Sequence, residues 1–345
     1  MKDGPRSVPG TDGRARSEVY DRPNLLITSA SRKLLLVRAF RAALAELGGG
    51  SVIASDLDPR AAALYEADRR RALPRSDDPG YVDALRTLCR EERVGLVIPT
   101  RDEELPILAA ARDALAEDGT LVLVSSPAAV ETCRDKRSFA AAVAAAGLDA
   151  PRLYDDPATA PLPVFVKPRI GKGGRAATTA ATPVELAAAM AAAGPYALIQ
   201  ELIQAPEYTI DLFLDLDSQP ISCVPRERMI VVGGESVVSR TVDDSDLAAA
   251  SIRLATSIGL VGHVTIQAFR SPDRIAFIEI NPRYGGAANL GFAAGALTPQ
   301  DAIRLARGEE LKPRLGEHEV GLVMLRASED RFVHEVDLHF DEAPR

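Results

Sequence analysis

The sequence predicts an α/β protein that begins with a doubly wound parallel sheet, and three observations support this fold class. The first third of the chain contains four short apolar runs, which suit strands that are covered on both faces. These runs lie at residues 24–28, 51–55, 95–99 and 121–125. Helical stretches separate them, and the clearest, residues 33–47, stops at three consecutive glycines. Beyond Pro127 alanine-rich helices and alternating strands follow, which indicates a second, mixed architecture.

The composition excludes several classes of protein. With 345 residues, 46% hydrophobic and 26% charged, the chain has room for two or three globular domains. A net charge of -8 argues against a nucleic-acid partner, and we interpret the arginine cluster at residues 69–71 as a solvated helix end. No apolar run is long enough to span a membrane, so no membrane partner is expected. Three widely spaced cysteines favour neither disulfides nor zinc and fit a cytoplasmic protein.

The first strand-to-helix turn, TSASRKLL, lacks the GxGxxG pattern, which argues against a nicotinamide-dependent enzyme. A crevice at the ends of the parallel strands remains, and residues 100–103 follow the third strand there. Their side chains either contact a substrate or cap the next helix, and both interpretations stay open.

A lysine and a glycine-rich turn form the next candidate site. An alanine-rich helix at residues 135–146 precedes the strand PVFVKP, the turn GKGGR and a second helix at residues 183–193. Lys167 leaves its strand just before the turn, whose backbone N–H groups suit polyphosphate. The segment is not a P-loop, because GxxxxGK[ST] is missing. An ordinary hairpin with a solvated lysine is the alternative.

The run ALIQELIQAPEYTIDLFLD adds polar side chains beside a strand. Residues 200–203 are predicted to form an exposed strand edge whose backbone pairs with a purine ring, and Glu207 is a candidate acceptor for ribose hydroxyls. Strict alternation from Tyr208 onwards predicts a following strand. Glu201 and Glu207 are equally compatible with surface carboxylates.

The most informative segment is IQAFRSPDRIAFIEINPRYGG, which predicts two neighbouring strands with polar residues on one face. Because side chains alternate along a strand, Glu279, Asn281 and, if the chain stays extended past Pro282, Arg283 point to the same side. Gln267 can lie opposite them. Oxygen donors beside a guanidinium suit magnesium and the phosphates it carries. Two amphipathic strands with a solvated face are the alternative.

In their order along the chain, these features resemble the ATP-grasp superfamily, and their spacing is most similar to its carbamoyl-phosphate-synthetase-like branch. The resemblance covers roughly residues 24–307, and its most specific parts are EINPRYGG and IQELIQAPEYTID. It implies a two-lobed ATP-grasp domain after the N-terminal sheet. The resulting domain prediction is a disordered tail at 1–22, a Rossmann-like domain at 23–128, a small lobe acting as a lid at 129–195 and a metal-binding lobe at 196–345.

The resemblance also implies roles for individual residues. Phosphates of ATP would be held by Lys136, Lys167, Gly171, Gly173 and Gly174. Adenine would be lined by Gln200, Glu201 and Ile203, with ribose at Glu207. Magnesium, or manganese in its place, would be held by Gln267, Glu279 and Asn281. Arg283 would stabilise the transferred phosphoryl group, assisted by Arg226 or Arg228.

The implied activity is an ATP-dependent carboxylate–amine ligase that works through an acyl-phosphate and releases ADP and phosphate. Its small-molecule partners would be a carboxylate, an amino acid or short peptide by preference, and an amine; a homodimer is left open. A phosphotransferase or a non-ligating ATP-binding protein is the alternative. Gly174 replaces a serine common in this branch, and Thr265 replaces an arginine usual in D-alanine ligases, which argues against that activity.

Two further candidates are considered for substrate binding or catalysis. His263 precedes the strand that carries Gln267 and is either a base or a structural residue. The acidic residues Asp243, Asp244 and Asp246 either attract an amine or begin a helix, and a helix N-cap is the first interpretation.

Overall fold

The computed structural model of the protein describes residues 23–171 and 176–341, and its first part is a parallel five-stranded sheet with the order β3-β2-β1-β4-β5. Buried Leu, Ile and Val side chains occur in four of its five strands, and the predicted fold class is confirmed. Its elements are β1 (Asn24–Ile27), α1 (Leu34–Glu46), β2 (Val52–Asp56), β3 (Arg69–Ala72), α2 (Tyr81–Glu91), β4 (Val94–Ile98), α3 (Leu105–Glu117) and β5 (Leu121–Val122). A short 3₁₀ helix, Ala62–Glu66, precedes β3.

The arginine cluster at residues 69–71 is a strand, so its interpretation as a solvated helix end was wrong. Arg69 and Arg71 both form ion pairs with the buried carboxylate of Glu92, which follows α2. Arg70 pairs with Asp341 at 2.7 Å. These partners are more than 20 residues away in the chain, so the local sequence gave no sign that the edge strand could carry three cations.

Two short helices and a four-stranded sheet follow. Ser126 and Asp135 cap the helices with their side chains, as sequence-based helix-start rules expect. The elements are α4 (Pro127–Arg134), α5 (Lys136–Ala145), β6 (Leu153–Tyr154), β7 (Val164–Pro168), β8 (Thr178–Ala180), α6 (Pro183–Ala193) and β9 (Ala197–Glu201). The sheet order is β6-β9-β7-β8. This sheet therefore continues past the predicted lobe boundary at residue 195, because β9 pairs with both β6 and β7.

The last part is a six-stranded sheet with the order β14-β13-β10-β11-β12-β15. Its elements are β10 (Glu207–Leu214), β11 (Pro220–Val232), β12 (Glu235–Thr241), α7 (Ser245–Ile258), β13 (Gly262–Ser271), β14 (Arg274–Asn281), α8 (Ala288–Ala293), α9 (Thr298–Ala306) and β15 (Val323–Leu325). The alternation predicted for β10 is confirmed. Ile210 and Leu212 pack into a core with α5 and α7, whereas Thr209 lines the opposite side, which forms a cleft.

The first and last parts of the chain share one hydrophobic core. Phe40 of α1 meets Tyr284 edge-on, with ring centroids 5.5 Å apart, and Phe213 of β10 belongs to the same cluster. Because Tyr284 is fully buried there, Arg283 before it is fixed beside the loop that follows β4. Among residues 23–171 and 176–341, no helix is long and apolar enough to cross a membrane.

Two glycines, one at the end of α7 and one at the start of β13, allow a test of this packing. Gly259 and Gly262 both have positive φ, at 76° and 71°, but a Cβ at Gly262 would lie 2.6 Å from Leu123 Cγ, whereas Gly259 faces open space. We expect Gly259→Ala to cost about 1 kcal/mol, from backbone strain alone, and Gly262→Ala to cost about 2–4 kcal/mol, because overpacking is added. Urea unfolding of the two variants measures the difference, and equal losses would contradict the close approach of β13 to Leu123.

Candidate active site

A cleft of about 590 Å³ lies between the four-stranded and six-stranded sheets and reaches the loop after β4. Its described lining carries more cations than carboxylates. The cations are Lys33, Arg101, Lys136, Lys167, Arg226, Arg228, Arg283 and Arg326. The carboxylates are Asp102, Glu201, Glu207, Glu235 and Glu279. Such an excess of positive charge favours anionic ligands such as polyphosphates.

The three predicted metal ligands converge in the cleft. Gln267 of β13 lies directly opposite Glu279 of β14, and a register shift at the next pair places both Ile278 and Glu279 in the cleft wall. Asn281 Nδ2 donates to Glu279 Oε1 at 3.1 Å. The predicted convergence of these side chains is therefore found, although their role as ligands stays a proposal.

The chemistry of this donor set fits a magnesium ion that also binds phosphates. No group of three or more His, Cys, Asp or Glu side chains suited to a metal occurs in the described ranges, so Glu279 and two amides make the set. One end of the Gln267 amide lies 2.5 Å from Glu279 Oε1 and the other faces Arg228. Without a cation, hydrogen bonding favours the orientation in which the amide nitrogen of Gln267 faces Glu279. A cation bound by both residues favours the orientation in which the amide oxygen faces Glu279. Magnesium needs only a few protein ligands when phosphates and water complete its coordination shell.

Arg283 lies beside this set, although the chain does not stay extended past Pro282. The N–H of Arg283 donates to the Asn281 carbonyl at 2.8 Å, which closes a tight turn. The guanidinium still reaches Asn281 Oδ1, at 3.2 Å. It also forms a bidentate pair with Asp102 at 2.8 and 2.9 Å. This pair shows that Asp102, among residues 100–103, contacts the site, while Glu104 accepts from the N–H groups of Thr100 and Arg101 before α3.

Two lysines also lie near Glu279. Lys167 leaves β7, and burial lowers its pKa to about 8; Glu279 opposes this shift and neighbouring Lys136 adds to it. Burial also lowers the pKa of Lys136, whose Nζ donates to the Gly171 carbonyl at 2.8 Å. Two adjacent ammonium groups in a cleft favour a polyanion between them. Gly173 and Gly174, predicted to hold phosphate, lie outside the described residues.

The residues predicted to bind adenine and ribose line the same cleft, but their surroundings differ in part from those that the sequence predicted. Gln200 is 4% exposed in β9, between two neighbouring strands, so the prediction of an exposed strand edge at residues 200–201 was wrong. Of residues 200–203, only Leu202 and Ile203 lie beyond the end of β9 and outside the sheet, and both line the cleft. Glu201 pairs with Arg274 at 2.6 Å and thereby links the two sheets.

The carboxylate of Glu207 is bound by Arg228 Nη1. Burial nevertheless raises the pKa of Glu207. Arg228 Nη2 also donates to the Gly234 carbonyl at 2.7 Å, so this arginine connects Glu207 to the turn between β11 and β12. Both residues therefore lie in the cleft, but Arg228 lies at the predicted ribose end and not beside Arg283.

Arg226 depends on a residue that the sequence did not single out. Buried Asp211 of β10 accepts from Arg226 Nε at 2.8 Å, and Thr265 Oγ1 lies 3.3 Å from its other oxygen. Burial alone would raise the pKa of Asp211, but Arg226 and His263 hold it well below its usual range. The alternation in β10 could have indicated Asp211, since a carboxylate there shares a face with Thr209.

His263 is a buried packing residue. Its ring stacks on Tyr284 with centroids 4.2 Å apart, and burial lowers its pKa. It is absent from the described cleft lining, which disfavours the role of a base. Asp244 caps α7 by accepting from Leu247 N at 2.9 Å, as the N-cap interpretation expects, and neither it nor Asp243 nor Asp246 is part of the described lining.

Comparisons with known proteins agree with this geometry. A family model for the PylC-like N-terminal domain matches residues 25–123, and a model for ATP-grasp proteins in the biosynthetic pathway with the Ter operon matches residues 194–327. The matched C-terminal part of the chain, residues 194–327, belongs to the ATP-grasp superfamily. This match assigns it to a superfamily of ATP-dependent enzymes. Neither model tests the finer assignment to the carbamoyl-phosphate-synthetase-like branch, which stays a prediction.

Solved ATP-grasp structures share the fold at low sequence identity. Biotin carboxylase from Campylobacter jejuni, solved as a β,γ-ATP complex, is 18% identical with a TM-score of 0.70, and the match covers 87% of this chain and 74% of that one. The biotin carboxylase domain of Hydrogenobacter thermophilus 2-oxoglutarate carboxylase, solved with MgADP and bicarbonate, is 18% identical with a TM-score of 0.69, covering 87% and 73%. L-amino acid ligase from Bacillus licheniformis is 18% identical with a TM-score of 0.66, covering 84% and 77%.

The metal assignment generates a direct test. Glu279 supplies the one carboxylate of the proposed set, so Glu279→Gln should lower magnesium-dependent phosphate release from ATP by about two orders of magnitude or more, while circular dichroism stays unchanged. Glu227→Gln makes the same chemical change at a residue that pairs with Arg240 outside the cleft lining, and should leave turnover unchanged. Wild-type turnover in Glu279→Gln at matched magnesium would remove Glu279 from the metal site.

Proposed function

We propose that this protein is a carboxylate–amine ligase, which uses ATP to form an amide or peptide bond through an acyl-phosphate and releases ADP and phosphate. One observation carries the proposal. Every carboxylate of the described cleft lining except Glu279 is paired with an arginine: Asp102 with Arg283, Glu201 with Arg274, Glu207 with Arg228 and Glu235 with Arg326. None of these four carboxylates is free to act as a general base. A substrate carboxylate that accepts the phosphoryl group does not need a general base.

The first step is the transfer of a phosphoryl group to the acid. An oxygen of the acid's carboxylate attacks the γ-phosphorus of ATP, the bond to the β,γ-bridging oxygen breaks, and its electron pair leaves with ADP. Gln267, Glu279 and Asn281 would hold magnesium, which would supply positive charge to neutralise the phosphates. The protein's own contribution is positioning: Lys136 and Lys167 would bind the phosphates near Glu279, and Arg283 would contact the transferring group.

The second step is the attack of the amine. Its nitrogen bonds to the acyl carbon, the bond from that carbon to the phosphate oxygen breaks, and phosphate leaves with the electron pair. The amine loses one proton, which phosphate can accept. Arg283 would stabilise the departing phosphate in the same place where it stabilised the incoming group.

Amino acids or short peptides are the proposed substrates. The L-amino acid ligase of Bacillus licheniformis shares the fold over 84% of this chain, which supports an amino-acid substrate without establishing it. The alternative, a phosphotransferase acting on a hydroxyl, would need a group to accept the hydroxyl proton. The pairing of the lining carboxylates and the burial of His263 disfavour it.

The experiment uses hydroxylamine as a small amine that traps any acyl-phosphate as a coloured hydroxamate. The protein is incubated with MgATP, hydroxylamine and each amino acid in turn, and ADP and hydroxamate are measured together. A ligase should form both in equal amounts with at least one acid. A phosphotransferase would form ADP without hydroxamate, and that result across a panel extended to dipeptides would overturn the proposal.

Arg283 should separate chemistry from nucleotide binding. Arg283→Ala is expected to lower turnover by about 10²–10³, the loss typical of one electrostatic stabiliser, with ATP affinity changed by less than about threefold. Glu207→Ala is the matched variant at the other end of the cleft and should weaken ATP binding more than it lowers turnover at saturation. Calorimetric titration with ATP in the absence of an acid measures nucleotide affinity, and the hydroxamate assay measures turnover. Lost nucleotide binding with full turnover in Arg283→Ala would assign that residue to the nucleotide site.

A further inference from the structure

We propose that Lys33 and Arg283 together form an anion subsite that binds the reacting carboxylate of the acid substrate. The inference rests on the proposed function and extends it to a residue of the N-terminal domain. Lys33 comes directly before α1, more than 200 residues from the metal-binding segment, and it lines the same cleft.

The geometry places the two cations side by side. Lys33 Nζ donates to the Tyr284 carbonyl oxygen at 3.1 Å, and Arg283 Nη1 donates to the same oxygen at 3.3 Å. Because two donors share one acceptor, the ammonium and the guanidinium are neighbours. Arg283 also contacts Asn281, which contacts Glu279, so Lys33 lies beyond Arg283 as seen from the proposed metal site.

Both groups retain donors for a ligand. Of the five N–H bonds of a guanidinium, Asp102 accepts two from Arg283, Asn281 accepts one and the Tyr284 carbonyl accepts one. The remaining one is on Nη1, the nitrogen next to Lys33. The ammonium of Lys33 uses one of its three on the same carbonyl. A carboxylate with two oxygens can accept from both cations at once.

The charge of Lys33 is not neutralised by a direct ion pair. Within residues 23–171 and 176–341, no carboxylate lies within 4.0 Å of its ammonium, whereas Arg283 has Asp102. Burial and then Arg283 lower the pKa of Lys33 to about 8, opposed by Asp102 and Glu104 near the start of α3 and by Glu235 of β12. A bound anion beside Lys33 would neutralise its charge, as Asp102 does for Arg283.

The competing explanation is that Lys33 only ties the N-terminal domain to the last sheet. The Tyr284 carbonyl keeps its bond from Arg283 when Lys33 is lost, and the surrounding core of Phe40, Phe213 and Tyr284 is apolar. Replacing Lys33 with methionine therefore removes the charge and little else, and the exposed neighbour Arg32 provides a matched control.

The first experiment measures anion binding without any reaction. Wild-type protein with saturating MgADP is treated at pH 8 with pyridoxal 5′-phosphate and then borohydride, and the labelled lysines are located by peptide mass mapping. Succinate should suppress labelling of Lys33 more than sodium chloride at equal ionic strength does, while exposed Lys312 serves as an internal reference. Equal effects on Lys33 and Lys312 would overturn the subsite even if the protein is a ligase.

The second experiment uses the hydroxamate assay with the acid that it identifies. Lys33→Met should raise the half-saturating acid concentration by about tenfold to a hundredfold, the loss typical of one charge-assisted hydrogen bond, and should leave that of ATP unchanged. Lys33→Arg should restore most of the acid affinity, and Arg32→Met should match the wild type. With the wild type, kcat/KM for the acid should fall as the pH rises above about 8, because Lys33 loses its charge.

The outcomes separate the two proposals. An unchanged acid requirement in Lys33→Met, or an equal rise for acid and ATP, overturns the subsite and leaves the ligase intact. If no acid gives a hydroxamate but succinate still protects Lys33, anion binding at Lys33 stands, whereas the proposed reaction and the assignment of this anion as its acid substrate fail.

Discussion

The bidentate pair between Arg283 and Asp102 is the interaction on which the arrangement of this cleft depends. It joins the end of β14 to the loop after β4, and so links the sheet with the proposed metal ligands to the parallel sheet of the N-terminal domain. Partly buried, bidentate pairs of this kind fix orientation as well as distance. Since Asp102 holds two of the five guanidinium N–H groups, it also decides which edge of Arg283 faces a ligand.

Charge pairing organises the rest of the cleft in the same way. Arg226 is held by Asp211, Arg228 by Glu207 and Arg326 by Glu235, so most cations of the wall have fixed positions before any ligand binds. A buried pair gains little net stability, because desolvation offsets the attraction. Its effect here is preorganisation: the charges that face a ligand need not reorganise when it arrives. Lys33, Lys136 and Lys167 differ, since burial lowers their pKa and no carboxylate is paired with any of them in the described part of the chain.

The sequence predicted those features whose cause is local. Four of the five strands of the parallel sheet, the helix at Pro183–Ala193 and the pairing of Gln267 with Glu279 follow from apolar runs, caps and two-residue alternation, and the structure confirms them. The errors concern distant partners. Nothing near Arg69–Arg71 shows that Glu92 and Asp341 neutralise an edge strand there, and nothing near Gln200 shows that a strand covers each side of β9.

Lys33 was missed for the same reason, and this bears on how substrates are distinguished. The proposed magnesium ligands lie within fifteen residues of one another, on a hairpin whose sequence pattern is recognisable by itself. The proposed acid subsite instead needs Lys33 and Asp102 from loops of the N-terminal domain and Arg283 from the turn after β14, and forms only because α1 packs against Tyr284. A change in that packing can alter the acid site without touching the nucleotide site. Biotin carboxylase and L-amino acid ligase both share this fold at 18% identity, so the fold alone does not specify a substrate. The proposed subsite places that choice at the junction between the domains.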